Sequence, residues 1–300
     1  MSRTDLEPSG QSPAIVSRIA HAKINLALHV TGRRPDGFHL LDTLVVFARY
    51  GDRISVHPNP GQESPVSLEV VGPFSNSLAN NAENLVVKAA TCFLEALPQH
   101  DRDVNPVRIV LEKNLPVASG IGGGSADGAA TLLALAQYWN REIDLVSAAR
   151  KLGADFAMCL QSRSLRARGI GDEITLLHMK EPLALLLVNP LLSVSTPEVF
   201  KKLKDRNNPP LDHLAGTAFP DAHALSEMRN DLENPAMEVE PEISHVLEAI
   251  RNSGSRLARM SGSGATCFGV FDTLEEAENA RKEIADRHPH WWAIASHSTV

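Results

Sequence analysis

The chain has 300 residues, of which 43% are hydrophobic, and this is enough for one large domain or two ordinary ones. Its formal net charge is −7, so we expect no nucleic-acid or membrane partner, and a phosphorylated substrate would have to be met by a local site. The three cysteines are isolated from one another and from any Cys/His cluster, which indicates free thiols in a reducing compartment.

The sequence carries no signal for secretion, membrane insertion or a protein-held metal. Its first residues are polar, and its densest apolar run, at residues 182–188, is too short to cross a bilayer. The histidines are scattered and form no HExxH motif, so we predict no metal bound by protein ligands. We expect a cytoplasmic protein.

The first part of the chain mixes strand and helix patterns. Residues 1–13 are rich in Ser, Pro and acidic residues and predict a disordered tail. Alternating and helix-spaced apolar residues then predict, in chain order, strands over 16–30, 41–48 and 52–57, a helix over 84–97, a strand over 107–112, and helices over 127–139 and 144–152.

The pattern restarts after about residue 176. We predict a strand over 183–188, helices over 197–203 and 240–253, a strand over 266–271 and a helix over 274–287. Thr273 and Glu276 match a capping box at the start of the last helix. The prediction is an α+β protein with two lobes, residues 14–176 and 177–300.

The strongest functional signal is a glycine-rich run at residues 115–127, LPVASGIGGGSAD, with four glycines in five positions. Without Cβ atoms, successive N–H groups can converge on an anion, and the helix that follows favours phosphate at its amino terminus. The Ser125 hydroxyl could bind phosphate or Mg²⁺. No Walker A lysine follows Gly124, and the Rossmann glycine spacing also fails. We predict a phosphate loop; the alternative, a flexible surface turn, is disfavoured by the strand–loop–helix context.

A second run of small residues, at 260–265, precedes an apolar strand. Alone it indicates a tight turn, because small residues also allow backbones to pack closely. Beside the first loop, it predicts a second wall of the same site.

Together these segments resemble the GHMP kinase superfamily. The matching segments occur in the family's order at residues 22–28, 31–39, 116–127, 152–155 and 261–265. The resemblance implies a two-lobed fold, with a ribosomal protein S5 domain 2-like amino-terminal lobe and a ferredoxin-like α/β carboxy-terminal lobe. It also implies an ATP-dependent small-molecule kinase with Mg²⁺ held mainly by the nucleotide phosphates. Its implied substrate is a cytidyl sugar-alcohol diphosphate, used in making isoprenoid precursors. We expect a monomer or a homodimer.

The resemblance assigns the catalytic pair to Asp155 and Lys23. Asp155 would accept the proton of the substrate hydroxyl, and Lys23 would stabilise that carboxylate and orient the hydroxyl. From position alone, Asp155 is slightly better explained as a helix N-cap. Lys23 is unusual in an apolar strand, since lysine is rarely buried without a partner, and the alternative is an edge-strand lysine with its ammonium in solvent.

The remaining site residues also follow from the resemblance. ATP binding is assigned to Pro116, Val117, Ala118, Ser119, Gly120, Ile121, Gly122, Gly123, Gly124, Ser125 and Ala126, with Asn84 and Lys113 near the adenine or ribose. Phe38 would stack on the cytosine, His39 would hydrogen-bond to its edge and Phe200 would cover its other face. Thr196 and Asn25 would supply polar contacts. The alternative is a core phenylalanine and a surface histidine.

Two positions depart from the family pattern. Phe156-Ala157 stands where Val-Pro is usual, and Gly128 stands where Ala is common. We expect the helices to survive, although a large ring next to Asp155 could displace its carboxylate and lower activity.

Two rival functions stay open at this stage. The chain could be another GHMP enzyme, such as a homoserine or mevalonate-type kinase or a diphosphomevalonate decarboxylase, but a cytosine clamp at residues 36–39 would have no use there. It could also be a catalytically silent nucleotide-binding regulator, which the presence of both Lys23 and Asp155 disfavours.

Overall fold

The computed structural model describes residues 15–78, 81–211 and 216–300; the predicted tail at residues 1–13 lies outside the described residues. The first half contains, in order, β1 Val16–Arg33, β2 His39–Pro58, β3 Val66–Val71, α1 Leu85–Ala96, β4 Val107–Glu112, α2 Gly123–Trp139, α3 Leu145–Leu152, α4 Ala154–Gln161, β5 Leu165–Gly169 and β6 Glu173–Leu176. The second half contains β7 Ala184–Asn189, α5 Thr196–Lys202, α6 Ala222–Glu227, α7 Glu233–Val239, α8 Glu242–Asn252, β8 Leu257–Met260, β9 Cys267–Phe271, α9 Leu274–Arg287 and β10 Trp292–His297.

The first six strands form one sheet organised around β2. Along one edge β2 pairs with β1. Along its other edge it pairs first with β5 and then with β4. β6 pairs with β5, and β3 pairs with β4. Helices α1, α2 and α4 contribute to the apolar core on one face of this sheet. Residues 22–30 of β1 are all buried, a pattern expected when a strand is covered on both faces.

The second sheet has the strand order β10-β7-β9-β8, and all its neighbours are antiparallel. Helix α8 precedes β8, and α9 connects β9 to β10, so the order is that of a ferredoxin-like split βαβ unit. A shared apolar cluster joins Ile24 and Leu44 of the first sheet to Leu185 and Phe268 of the second. The predicted two-lobed α+β fold is therefore confirmed, while the lobe boundary near residue 176 stays a prediction.

Several predicted elements differ in extent from those observed. The strands predicted over 41–48 and 52–57 are one continuous β2. Gly51 continues the pairing with β1 between them, at a close approach to Ala20 where a Cβ would clash. Helix α2 begins at Gly123, four residues before the predicted start, despite the low helix propensity of glycine. The capping box of Thr273 and Glu276 is confirmed, with both of its hydrogen bonds present.

The two departures from the family pattern touch each other in the structure. Phe156 of α4 is 2% exposed, and its ring packs on Gly128 of α2. A Cβ on Gly128 would lie 2.9 Å from Cζ of the ring and even closer to Cε1. The glycine thus provides the space that the larger ring occupies.

This contact predicts a strong coupling between the two positions. Gly128→Ala alone should lower the free energy of unfolding by about 1–3 kcal/mol through overpacking. In the Phe156→Val background the same change should cost much less, because only the 3.3 Å approach of the new Cβ to Leu85 O remains and helix propensity offsets it by up to ~1 kcal/mol. Urea unfolding of the four proteins measures the coupling, and an equal cost of Gly128→Ala in both backgrounds would contradict the packing argument.

Candidate active site

Two neighbouring cavities meet at the glycine-rich loop. The first, of about 410 Å³, is lined mainly by loop residues and by the start of α2. The second, of about 290 Å³, is lined by residues of both lobes. Ala118, Gly120 and Gly122 line both cavities, so the loop forms the wall between them.

The loop presents backbone donors to the first cavity. Gly122 is the N-cap of α2 and has a left-handed conformation with φ of 64°, which glycine adopts without strain. The first helical hydrogen bond runs from Ala126 N to Gly122 O at 2.9 Å, so the N–H groups of residues 123–125 precede the helical ladder. Such N–H groups at the positive end of a helix favour phosphate.

Most of the residues assigned to ATP binding line the first cavity, and two do not. The lining residues are Pro116, Val117, Ala118, Ser119, Gly120, Gly122, Gly123, Gly124, Ser125, Asn84 and Lys113. Ile121 is fully buried in the apolar cluster between the sheets, and Ala126 is 3% exposed against the helical core. Asn84 also caps α1, where its Oδ1 accepts from Val86 N at 3.0 Å.

Lys23 and Asp155 meet in the second cavity. Lys23 Nζ lies 2.9 Å from Asp155 Oδ1, and the lysine side chain is 7% exposed whereas the aspartate side chain is 43% exposed. The stem of Lys23 passes Gly122, where an added Cβ would lie 3.1 Å from it. Register shifts in the β1–β2 pairing occur on both sides of Lys23, and such irregularities re-aim side chains.

Both simple alternatives for this pair are wrong. The ammonium of Lys23 is buried against Asp155, although β1 is at the edge of its sheet. Asp155 is the second residue of α4, whose N-cap is Gly153. The Asp155 carboxylate therefore does not cap α4 and instead forms an ion pair with Lys23.

A second ionic cluster lies beneath the glycine loop and was missed by the sequence analysis. Lys113 Nζ contacts carboxylate oxygens of Asp52 and Asp127, the latter at 2.9 Å. Asp52 Oδ1 also accepts from the backbone N of Asn114 and Leu115, at 2.6 and 2.8 Å. The cluster ties the strand before the loop to the helix after it. The sequence signal that could have revealed this cluster is Asp52 itself, because a carboxylate in an apolar strand is rarely buried without a partner.

Burial and charge shift the pKa values inside this cluster. Burial, together with the Asp52 charge, raises the pKa of Asp127 well above its usual value, against the opposing effect of Lys113. For Lys113, burial lowers the pKa, but the charges of Asp127 and Asp52 outweigh it and raise the pKa overall. Oδ1 of Asp127 is buried and has no hydrogen-bond partner among the described residues.

The second small-residue loop packs directly on the first. Thr266 N donates to Ser119 O at 3.1 Å, and Ser261 Oγ donates to Gly120 O at the same distance. A Cβ on Gly120 would lie 2.6 Å from Ser261 O, so only glycine permits this approach. Gly262 and Ser263 line the second cavity, as expected for a second wall of one site.

The residues assigned to the cytosine are brought only partly together. His39 and Phe200 stack with ring centroids 4.4 Å apart, whereas Phe38 is 61% exposed and outside that stack. Asn25 donates from Nδ2 to Thr43 Oγ1, and Thr196 Oγ1 hydrogen-bonds to Ser263 Oγ. The ring of His39 thus covers one face of Phe200, whereas the resemblance assigned Phe200 to cover the cytosine.

Within residues 15–78, 81–211 and 216–300, no group of three or more His, Cys, Asp or Glu side chains is arranged to hold a metal ion. Ser125 lines the first cavity. No helix in the same described ranges is long and apolar enough to span a membrane.

Comparisons with protein-family models show to which family of proteins the chain belongs. The model of the GHMP kinases N terminal domain matches residues 84–163, and the GHMP kinases C terminal model matches residues 218–290. The chain belongs to the GHMP kinase family.

Comparisons with individual proteins show which members of the family this chain resembles. Over 287 residues the chain is 46% identical to "4-diphosphocytidyl-2-C-methyl-D-erythritol kinase" of Rhizobium etli (strain CIAT 652), covering 94% of each protein. A crystal structure of 4-(cytidine 5'-diphospho)-2C-methyl-D-erythritol kinase matches with a TM-score of 0.78 and 34% identity, over 95% of this chain and 99% of that one. Homoserine kinase from Cytophaga hutchinsonii matches with a TM-score of 0.71 at 18% identity, over 99% of this chain and 98% of that one, and shows the fold alone.

The ionic cluster predicts how stability depends on pH. A raised pKa means that folded Asp127 holds its proton at pH values where the unfolded chain has lost it. Its contribution to stability is therefore complete below about 3.8 and is lost as the pH rises through the folded pKa. Relative to wild type, Asp127→Asn should gain about 1.4 kcal/mol over this range for each unit of the shift.

Urea unfolding at pH 4.5 and pH 8 measures this difference. Asp144→Asn is the matched control: hydrogen bonds from Ser147 lower the pKa of this exposed N-cap, so its contribution to stability changes only below about pH 3.8 and its difference from wild type should be the same at pH 4.5 and pH 8. A pH-independent difference between wild type and Asp127→Asn would contradict the raised pKa of Asp127.

Proposed function

We propose that the chain transfers the γ-phosphoryl group of ATP to the 2-hydroxyl of 4-diphosphocytidyl-2-C-methyl-D-erythritol, in the methylerythritol phosphate route to isoprenoid precursors. The observation that carries the proposal is the shared wall of the two cavities. A triphosphate along residues 122–125 would end beside the cavity that holds Lys23 and Asp155. The identity of the proposed substrate comes from the names of the two relatives, both of which are kinases of this compound.

Phosphoryl transfer requires positioning of the reactants and neutralisation of charge on the transferred group. The N–H groups of residues 123–125 would bind the nucleotide phosphates, and the bound Mg²⁺, held mainly by those phosphates, would neutralise part of their charge. The substrate hydroxyl would enter from the second cavity, on the opposite side of Gly120 and Gly122.

Asp155 would act as the general base. Lys23 engages its Oδ1, and nearly half of the carboxylate side chain is exposed to the cavity, so it can accept a hydrogen bond from the substrate hydroxyl. As the hydroxyl oxygen bonds to the γ-phosphorus, its proton passes to Asp155 and the bond to the ADP oxygen breaks. Lys23, with the charge of Asp155 reduced by that proton, is then free to stabilise the phosphoryl oxygens.

The other site assignments complete the proposal. Asn84 and Lys113 both line the first cavity and would border the adenine or ribose. The cytosine would use Phe38, His39 and Phe200, of which His39 and Phe200 already stack on each other. Asn25 and Thr196 would contact the substrate in the second cavity. We infer that the enzyme works in the cytosol, as a monomer or homodimer.

Replacing the base tests the mechanism. In an assay that couples ADP release to NADH oxidation, wild type should turn over 4-diphosphocytidyl-2-C-methyl-D-erythritol, and Asp155→Asn should lower kcat about 10²–10⁴-fold because the general base is lost. Asp144→Asn should leave kcat unchanged, since asparagine also serves as an N-cap and Asp144 caps the neighbouring helix α3.

A loss smaller than ~10-fold in Asp155→Asn would remove this residue from the role of base. ATP binding by wild type, with no ADP release on the cytidyl substrate, would reject the proposed activity and favour a silent nucleotide-binding regulator. Faster ADP release with homoserine or mevalonate would favour another kinase of the family.

A further inference from the structure

The second cavity lacks a free positive charge for the substrate that the proposed function requires. The diphosphate of a cytidyl ester is negatively charged at neutral pH, yet Lys23 is the only cation among the described residues that line this cavity, and it is paired with Asp155. The net charge of −7 gives no general attraction. A cation near the cavity entrance is therefore needed.

Arg206 lies where such a cation would be useful. It follows α5, which carries Phe200, and it is fixed on both sides, by buried Leu203 and by Asn208, whose N donates to Val30 O at 3.1 Å. Val30 pairs with Leu41 close to the start of β2. This start is His39, whose ring stacks on Phe200 and thereby connects the segment to the second cavity.

The guanidinium of Arg206 is unusual among the arginines of this region. Its Nε is buried without a hydrogen-bond partner, and no residue in the described ranges pairs with it ionically. Arg34 and Arg229, by contrast, form ion pairs with Asp36 and Asp231. A buried N–H without a partner is costly, and a phosphate oxygen would satisfy it.

The surroundings of His39 show that the Arg206 guanidinium is near this ring and that the ring has an unsatisfied nitrogen of its own. Nε2 of His39 is also buried, and no side chain or backbone group in the described part of the chain hydrogen-bonds to it. Burial lowers the pKa of His39, and the positive charges of Arg33 and Arg206 lower it further, as expected for guanidinium groups close to the ring.

We propose that Arg206 binds the diphosphate of the cytidyl substrate beside the His39–Phe200 stack. This inference rests on the proposed function for the identity of the ligand. The planar guanidinium matches phosphate oxygens with parallel N–H donors, a geometry that lysine cannot reproduce. Arg206 thereby discriminates a nucleoside diphosphate from an uncharged nucleoside.

Calorimetric titration of the full chain with cytidine 5′-diphosphate and with cytidine tests the proposal. A saturating non-hydrolysable ATP analogue keeps both probes out of the nucleotide cavity. Arg206→Ala should weaken binding of cytidine 5′-diphosphate about 10- to 100-fold and leave cytidine within about twofold, because only the charge-assisted contact is lost. Arg206→Lys should recover part of the loss. Arg34→Ala, which removes a cation already paired with Asp36, is the matched control and should change neither affinity.

Steady-state kinetics separate this inference from the proposed function. In Arg206→Ala, KM for the cytidyl substrate should rise about tenfold or more, while kcat and KM for ATP stay as in wild type. Normal turnover with an unchanged KM, or an equal loss of cytidine and cytidine 5′-diphosphate binding, would overturn the role of Arg206 alone. If wild type releases no ADP, the proposed function fails, whereas a selective loss of cytidine 5′-diphosphate binding would still support the diphosphate site.

Discussion

The glycine loop is held against both lobes by contacts that its backbone makes. Lys23 N of β1 donates to Ile121 O at 2.9 Å, and Ser261 Oγ of the second lobe donates to Gly120 O. The same Ser261 Oγ accepts from Asn25 N, so one hydroxyl joins the strand, the loop and the second lobe. Side chains on Gly120 or Gly122 would separate these surfaces, and the two cavities would no longer share a wall. The fold therefore depends on glycine here for close approach, and the proposed chemistry depends on the same approach.

Two lysines pair with carboxylates in this site, and exposure distinguishes their roles. The Lys113 cluster with Asp52 and Asp127 is buried on every side, with side-chain exposures of 3% or less. It joins the two ends of the loop and has little contact with solvent, as suits a structural cluster. Asp155 is also paired with a buried lysine, but its own side chain opens into a cavity. A base must reach its substrate, and Asp155 has that access.

The sequence was sufficient where local chemistry decides the structure. Glycines at 120–124 predicted the loop, and the spacing of Thr273 and Glu276 predicted the start of α9. Contacts between distant residues were not predictable, because nothing in a single sequence indicates that Asp52 meets Lys113 or that His39 stacks on Phe200. Gly128 and Phe156 illustrate the difference: each was visible as a departure from the family pattern, but only the fold shows that one accommodates the other.

The central claim is that a triphosphate bound by the amides of residues 123–125 directs its terminal phosphate at the Lys23–Asp155 pair. A crystal structure of the full chain with a non-hydrolysable ATP analogue and 4-diphosphocytidyl-2-C-methyl-D-erythritol tests it most directly. We expect the substrate hydroxyl to lie within hydrogen-bond distance of Asp155 and about 3–3.5 Å from the γ-phosphorus, in line with the leaving oxygen. A triphosphate that avoids those amides, or a γ-phosphate on the far side of the loop from Lys23, would contradict the account.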